Sequence, residues 1–197
     1  MTKPKHERQQ WLDIAIVELQ KEFKKEGLKL PKYRATIGLP SKGGFSAKNR
    51  TIGQCYYPAA SKDKTTEIMV SPTQDKPLDI LAIAAHEVCH GVLGAGFGHG
   101  KEFRKLALSI GLTGKMTATE PGPEFIRRTK HILENLGAFA HKRLDITVGQ
   151  KKQSTRMLKC ECLNDGCGMV FRTSSKWVEV AGDDMSCPIC TALVKIG

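Results

Sequence analysis

No stretch of this chain approaches 18 consecutive apolar residues, which excludes a transmembrane helix. Its opening, MTKPKHERQQ, is charged where a secretory signal would carry an apolar segment. Both absences predict a cytoplasmic protein, whether at the nucleoid or in the cytoplasm of a host, with no membrane partner. Internal repeats and low-complexity tracts are also missing. Acidic residues are the scarcer charge: 20 Asp and Glu face 31 Lys and Arg, for a net charge of +11. Residues 36–100 are nearly neutral while their flanks are basic, most of all residues 141–176. Such flanks suit a polyanion, and nucleic acid is the expected partner.

What is present fits one domain with a proper core plus a small appendage. At 197 residues, 40% hydrophobic and 26% charged, the composition is that of a globular protein too short for two full-sized domains. From Glu7 to Glu26, Trp11, Ile14, Ala15, Leu19 and Phe23 recur at helical spacing, and Gly27 stands where that helix would stop. Three extended runs follow, YRATIG (33–38), TIGQCYY (51–57) and TEIMVS (66–71), which predict a small sheet. Pro77 opens a second helix, PLDILAIAAHEVCHGVL. A glycine-rich turn over 94–100 leads to a third, KEFRKLALSI, closed by Gly111. After TGKMTATEPG a fourth runs from about Glu124 to Leu136. The polar stretch 141–155 reads as a basic linker between a domain over 1–140 and a cysteine-rich module over 156–197.

The second helix carries His86-Glu87-Val88-Cys89-His90. Positions i and i+4 are one turn apart, so both imidazoles project from one face and can share a metal ion. Glu87 lies on the adjoining flank, within reach of a water at that ion. This is the arrangement of a zinc hydrolase, in which the ion lowers the pKa of a water to about 7 and a carboxylate takes its proton as it attacks a carbonyl. A catalytic zinc needs a third protein ligand, and His99 is the candidate. Gly91, Gly94, Gly96, Gly98 and Gly100 let the chain leave the helix, reverse and bring that side chain back. Cys89 sits about 100° around the helix from His90, on the side away from Glu87, and reads as a small core residue. Cys55 is read the same way.

HEVCH followed by GHGKEFRKLALSIGLTG resembles the SprT-like zinc metallopeptidases, the family of Spartan-type proteases of DNA–protein crosslinks and of smaller bacterial and phage members. The likeness extends over most of the chain: helix, short sheet, HExxH helix, GHGxxF turn and terminal zinc ribbon. It implies a zincin-like fold and cleavage of proteins near DNA. In that family's pattern His86, His90 and His99 hold the zinc and Glu87 is the general base. By analogy with zincins, TEIMVS is the candidate edge strand for holding an extended substrate.

The thiols of the C-terminal module need an explanation other than disulfides in a reducing compartment. Cys162-x4-Cys167 and Cys187-x2-Cys190 have the spacing of a four-cysteine structural zinc site. Cys160 is the alternative first ligand, and Cys162 is preferred because it makes the shorter turn with Cys167. Five cysteines in a piece too small for much core point to a metal that supplies folding energy. Between the two pairs, Arg172, Lys176 and Trp177 mix basic and aromatic character suited to phosphate contact and base stacking. Lys142, Arg143, Lys151, Lys152, Arg156 and Lys159 lie just upstream.

These readings combine into an α+β chain with a zincin-like catalytic domain and a zinc-ribbon module, carrying one catalytic and one structural Zn²⁺. The expected function is a metallopeptidase acting on proteins associated with nucleic acid, with DNA, single-stranded or protein-bound, and a protein substrate as partners. The alternative is a non-catalytic nucleic-acid-binding accessory protein of transcription or replication that uses the ribbon and the basic linker.

Overall fold

A computed structural model describes residues 4–46, 48–148 and 157–197. The chain is mixed α+β, with five helices and three small sheets among the described residues, and it divides into two compact units, Met1–Val148 and Gly149–Gly197. No described helix is long and apolar enough to cross a membrane.

In the first unit, α1 (Arg8–Lys25) buries Trp11, Leu12, Ala15, Ile16, Leu19 and Phe23, a stripe slightly wider than its sequence spacing predicts. Ile14 only borders the core. Trp11 donates its indole N–H to the carbonyl of Gly137 at 3.2 Å and meets Phe139 edge-on, which ties α1 to the chain leaving the last helix of this unit. Strands β1 (Tyr33–Ile37), β2 (Gly53–Tyr56) and β3 (Thr66–Val70) form one mixed sheet in the order β1-β3-β2. β1 runs parallel to β3, with Ala35 opposite Ile68, and β2 runs antiparallel to it, with Cys55 opposite Ile68.

TEIMVS is therefore the central strand and not the edge. Its alternate residues Thr66, Ile68 and Val70 are buried and both its sides are paired, so it has no free backbone for a substrate. The outer edge of β1 is occupied too. The side-chain amide of Gln9 donates to the Ala35 carbonyl at 2.9 Å and accepts from the Ile37 N–H at 3.1 Å, replacing a neighbouring strand. Among the described residues no strand pairs with the outer side of β2.

Helix α2 (Pro77–Leu93) is the centre of the unit. Ile80, Leu81, Ala84, Ala85, Val88 and Cys89 are buried, and its neighbours include β2, β3 and α1. A helix apolar around most of its circumference belongs inside a core, and its alanines allow close approach. Gly91 lies within α2 and not in the exit turn: a Cβ there would stand 2.6 Å from the ring of Tyr33, whose hydroxyl donates to the Val88 carbonyl. The reversal itself is made by Gly94, Gly96 and Gly98, at φ of 83°, 98° and 50°.

Helix α3 (Lys101–Ser109) follows, then a hairpin of β4 (Leu112–Lys115) and β5 (Ala118–Pro121), then α4 (Pro123–Leu136). TGKMTATEPG, which carries no strand-like hydrophobic run, thus forms two strands, and β5 packs on α2. Residues 141–148 also depart from the linker reading: Leu144 N–H donates to the Pro72 carbonyl and Arg143 N–H to Asp75, keeping this stretch on the first unit.

The second unit has β6 (Leu158–Cys162) paired antiparallel with β7 (Val170–Thr173) on one side and β8 (Val194–Ile196) on the other, with the short helix α5 (Ser175–Ala181) after β7. Among its described residues the buried apolar side chains are Cys160 and Cys187. That is too little apolar burial to order a sheet by itself.

Candidate metal centres

His86 and His90 project from adjacent turns of α2, and the turn after Gly94 returns His99 to them. His99 Nε2 stands 3.1 Å from His86 Nε2 and 3.2 Å from His90 Nε2. Three imidazole nitrogens converging on one point cannot satisfy each other by hydrogen bonding, since each ring offers a single proton when neutral. Their separations lie close to the edges of a tetrahedron built on bonds of 2.0–2.1 Å, about 3.3–3.4 Å, and so fit three ligands of a shared cation. Burial first, and repulsion by the other imidazoles second, pushes His86 down to about 3 and His90 to about 4; burial also lowers His99. The rings are held neutral, the form that ligates.

Phe103 of α3 forms the floor. Fully buried, it lies 4.8 Å from the ring of His86, 4.5 Å from His90 and 4.9 Å from His99, centroid to centroid. It is the Phe of GHGKEF, and only its place four residues after His99 hints at this contact. Phe103→Ala is expected to cost about 3–5 kcal/mol of stability. Loosening all three rings should also weaken metal binding at this centre, read by metal titration beside denaturant unfolding. Lost stability with unchanged affinity would reduce Phe103 to core filling.

Glu87 is only 6% exposed, and its carboxylate has no protein hydrogen-bond partner among the described residues. Burial pushes it up to about 8. It borders a cavity of about 470 Å³ shared with the three histidines and walled by segment 49–55, Tyr57 and the hairpin tip Thr117–Thr119. Gly53 of β2 is what lets the sheet close on Glu87: a Cβ there would stand 2.4 Å from Glu87 Oε1 and 2.8 Å from Ile83. Cys55, expected in the core, is half-buried in the cavity wall, where burial and Glu87 raise its thiol to about 12. Cys89 is fully buried and is not part of the histidine group. Sequence reasoning missed Thr119, whose Oγ1 lies 2.8 Å from His86 Nδ1 across 33 residues.

In the second unit Cys162, Cys167, Cys187 and Cys190 form the other group able to hold a metal ion. Cys162 Sγ lies 3.4 Å from Cys190 Sγ, and Cys167 Sγ lies 3.7 Å from Cys187 Sγ. Both separations approach the edge of about 3.8 Å for a tetrahedron of 2.3 Å metal–sulfur bonds. Backbone amides of Asn164 and Ile189 donate to Cys162 and Cys187, and the Ala192 amide with the neighbouring thiols draws Cys190 down to about 7. Cys160 instead turns inward, 4.0 Å from the sulfur of Met185.

Of the residues assigned to nucleic acid, Lys151, Lys152 and Arg156 lie outside the described residues. Arg172 is exposed on β7, while Lys176 places its ammonium 5.2 Å from the ring of Trp177 on α5. Trp177 is 56% exposed, which leaves much of its ring open to solvent.

No family model, curated protein or solved structure matches the chain.

Proposed function

We propose that the chain is a zinc-dependent peptidase of zincin-like architecture that acts on proteins associated with nucleic acid. The observation that carries this reading is the buried carboxylate of Glu87, without a protein hydrogen-bond partner among the described residues and opening into the same cavity as three converging imidazoles. A purely structural site has no use for such a group, because leaving a buried carboxylate unpaired is costly. His86, His90 and His99 would hold the zinc beside the cavity that they line. When bound, zinc supplies Lewis acidity, which lowers the pKa of water and polarises a carbonyl.

The chain's own groups do the rest. Glu87 accepts a proton from the attacking water and delivers it to the leaving amide nitrogen. Gly53 of β2 stands against the carboxylate and leaves no room there for a side chain. β2, an edge of the sheet and part of the cavity wall, offers backbone groups to an extended peptide, the role that the analogy with zincins gave to β3. The four cysteines hold a structural zinc, and the exposed Trp177 with the basic stretch before the ribbon engages DNA, bringing protein substrates bound there to the peptidase.

The test pairs two measurements. Zinc-loaded full-length protein should cleave a DNA-bound protein, with single-stranded DNA as an added arm; no cleavage in any arm removes the peptidase reading and leaves the accessory-protein one. A chain ending at Val148 should bind DNA more weakly and with a flatter salt dependence, since fewer phosphate contacts release fewer counterions. Equal binding by both chains at every salt concentration would remove DNA binding from the tail.

A further inference from the structure

The β4–β5 hairpin contributes two things to the histidine centre. Thr117, Ala118 and Thr119 form part of the cavity wall, and Thr119 reaches the side of the His86 ring away from the centre, with Oγ1 2.8 Å from His86 Nδ1. His86 thus has both ring nitrogens engaged: Nε2 faces the centre and Nδ1 faces the hydroxyl. Among the described residues neither His90 nor His99 has a protein hydrogen-bond partner at Nδ1.

A threonine hydroxyl can donate or accept, so two arrangements of the pair exist. If Nδ1 is bare, the hydroxyl donates to it, Nε2 carries the proton, and that proton points at the other imidazoles and blocks a cation. If Nδ1 carries the proton, the hydroxyl accepts it and Nε2 presents a lone pair to the centre. Only the second arrangement ligates, and a hydrogen bond at the remote nitrogen is what fixes the tautomer and the ring plane of a ligating histidine.

We infer that Thr119 is a positioning residue of the histidine metal centre: its hydroxyl accepts the Nδ1 proton of His86 and so holds Nε2 as a lone-pair donor. The inference rests on the metal reading of this centre and not on peptidase activity. It also makes the hairpin more than a wall, because the segment that borders the cavity is the one that orients a ligand.

The experiment uses the full chain and reads zinc affinity by competition with a chromophoric chelator. The four-cysteine site serves as an internal reference. Thr119→Val keeps the shape of the half-buried side chain and removes its hydroxyl, so affinity at the histidine centre should fall roughly 10- to 100-fold while the cysteine site is unchanged. Thr119→Ser should restore affinity to near the parental value. In the zinc-loaded parent, ¹⁵N-resolved NMR should show His86 protonated at Nδ1. Unchanged affinity in Thr119→Val, or failure of Thr119→Ser to restore it, overturns the inference. So does His86 protonated at Nε2, a readout that holds even if a variant folds poorly. If the parental histidine centre takes up no zinc, the metal reading falls together with this one. If Thr119→Val weakens zinc binding but the parent cleaves nothing, peptidase activity alone is lost and the positioning role stands.

Discussion

Glu87→Gln is expected to keep zinc bound and to slow peptide hydrolysis by roughly 10²- to 10⁴-fold. The side chain is 6% exposed and lies against Gly53, so a replacement must have the same volume to leave the cavity intact. Glutamine meets that condition. It keeps an acceptor oxygen able to position water, yet its amide cannot take a proton at any working pH. The neutral side chain also removes the desolvation that pushes the native carboxyl up to about 8, so the fold should be no less stable for the change. His99→Ala provides the contrast: it removes one of three ligands, and metal and activity should disappear together. Hydrolysis by Glu87→Gln at the parental rate, with zinc shown at the histidine centre, would leave Glu87 without the role of general base.

Removing the metal from the second unit should unfold it. Cys160 and Cys187 are its buried apolar side chains among the described residues, while Trp177, Val180, Ile189 and Leu193 are exposed. A structural zinc in a small domain contributes an apparent 10–16 kcal/mol of folding free energy, far more than those few buried groups supply. In Cys187→Ser the zinc content should fall from about two per chain to about one. The amides of β6, β7 and β8 should lose their protection from hydrogen exchange. The first unit has its own core, built on Trp11, Phe23, Ile68, Leu81 and Phe103, so its amides should keep their protection. A variant that lost a metal ion but kept a protected β6–β8 sheet would show that the cysteines are not what orders the unit.

The parts legible from sequence are those set by geometry within a few residues. The i, i+4 spacing of His86 and His90 places both on one face of any helix, the apolar spacing of 11–23 marks α1, and Cys187-x2-Cys190 makes a tight turn wherever it occurs. The glycines of 94–98 showed where the chain could reverse, because their left-handed φ values are open to few other residues. The choice between Cys160 and Cys162 was visible but not closed: two residues apart on a strand, they separate only because Cys160 packs by Met185 while Cys162 joins the other three.

What no local pattern carried depends on contacts between distant segments. β3 reads as a strand in either position, but pairing with both β1 and β2 makes it central, and Gln9 on α1 closes the β1 edge so that β2 faces the cavity. Gly53 reads as a weak point in a strand until Glu87, 34 positions on, fills the space where its Cβ would be. Thr119 sits in a stretch with the composition of a turn, and its hydroxyl meets His86 only because β5 packs on α2. Backbone stereochemistry prescribes which residues share a helix face or a turn; which side chains meet across 30 or more residues follows from how the elements bury their apolar surfaces together, a property of the packed chain and of no single segment.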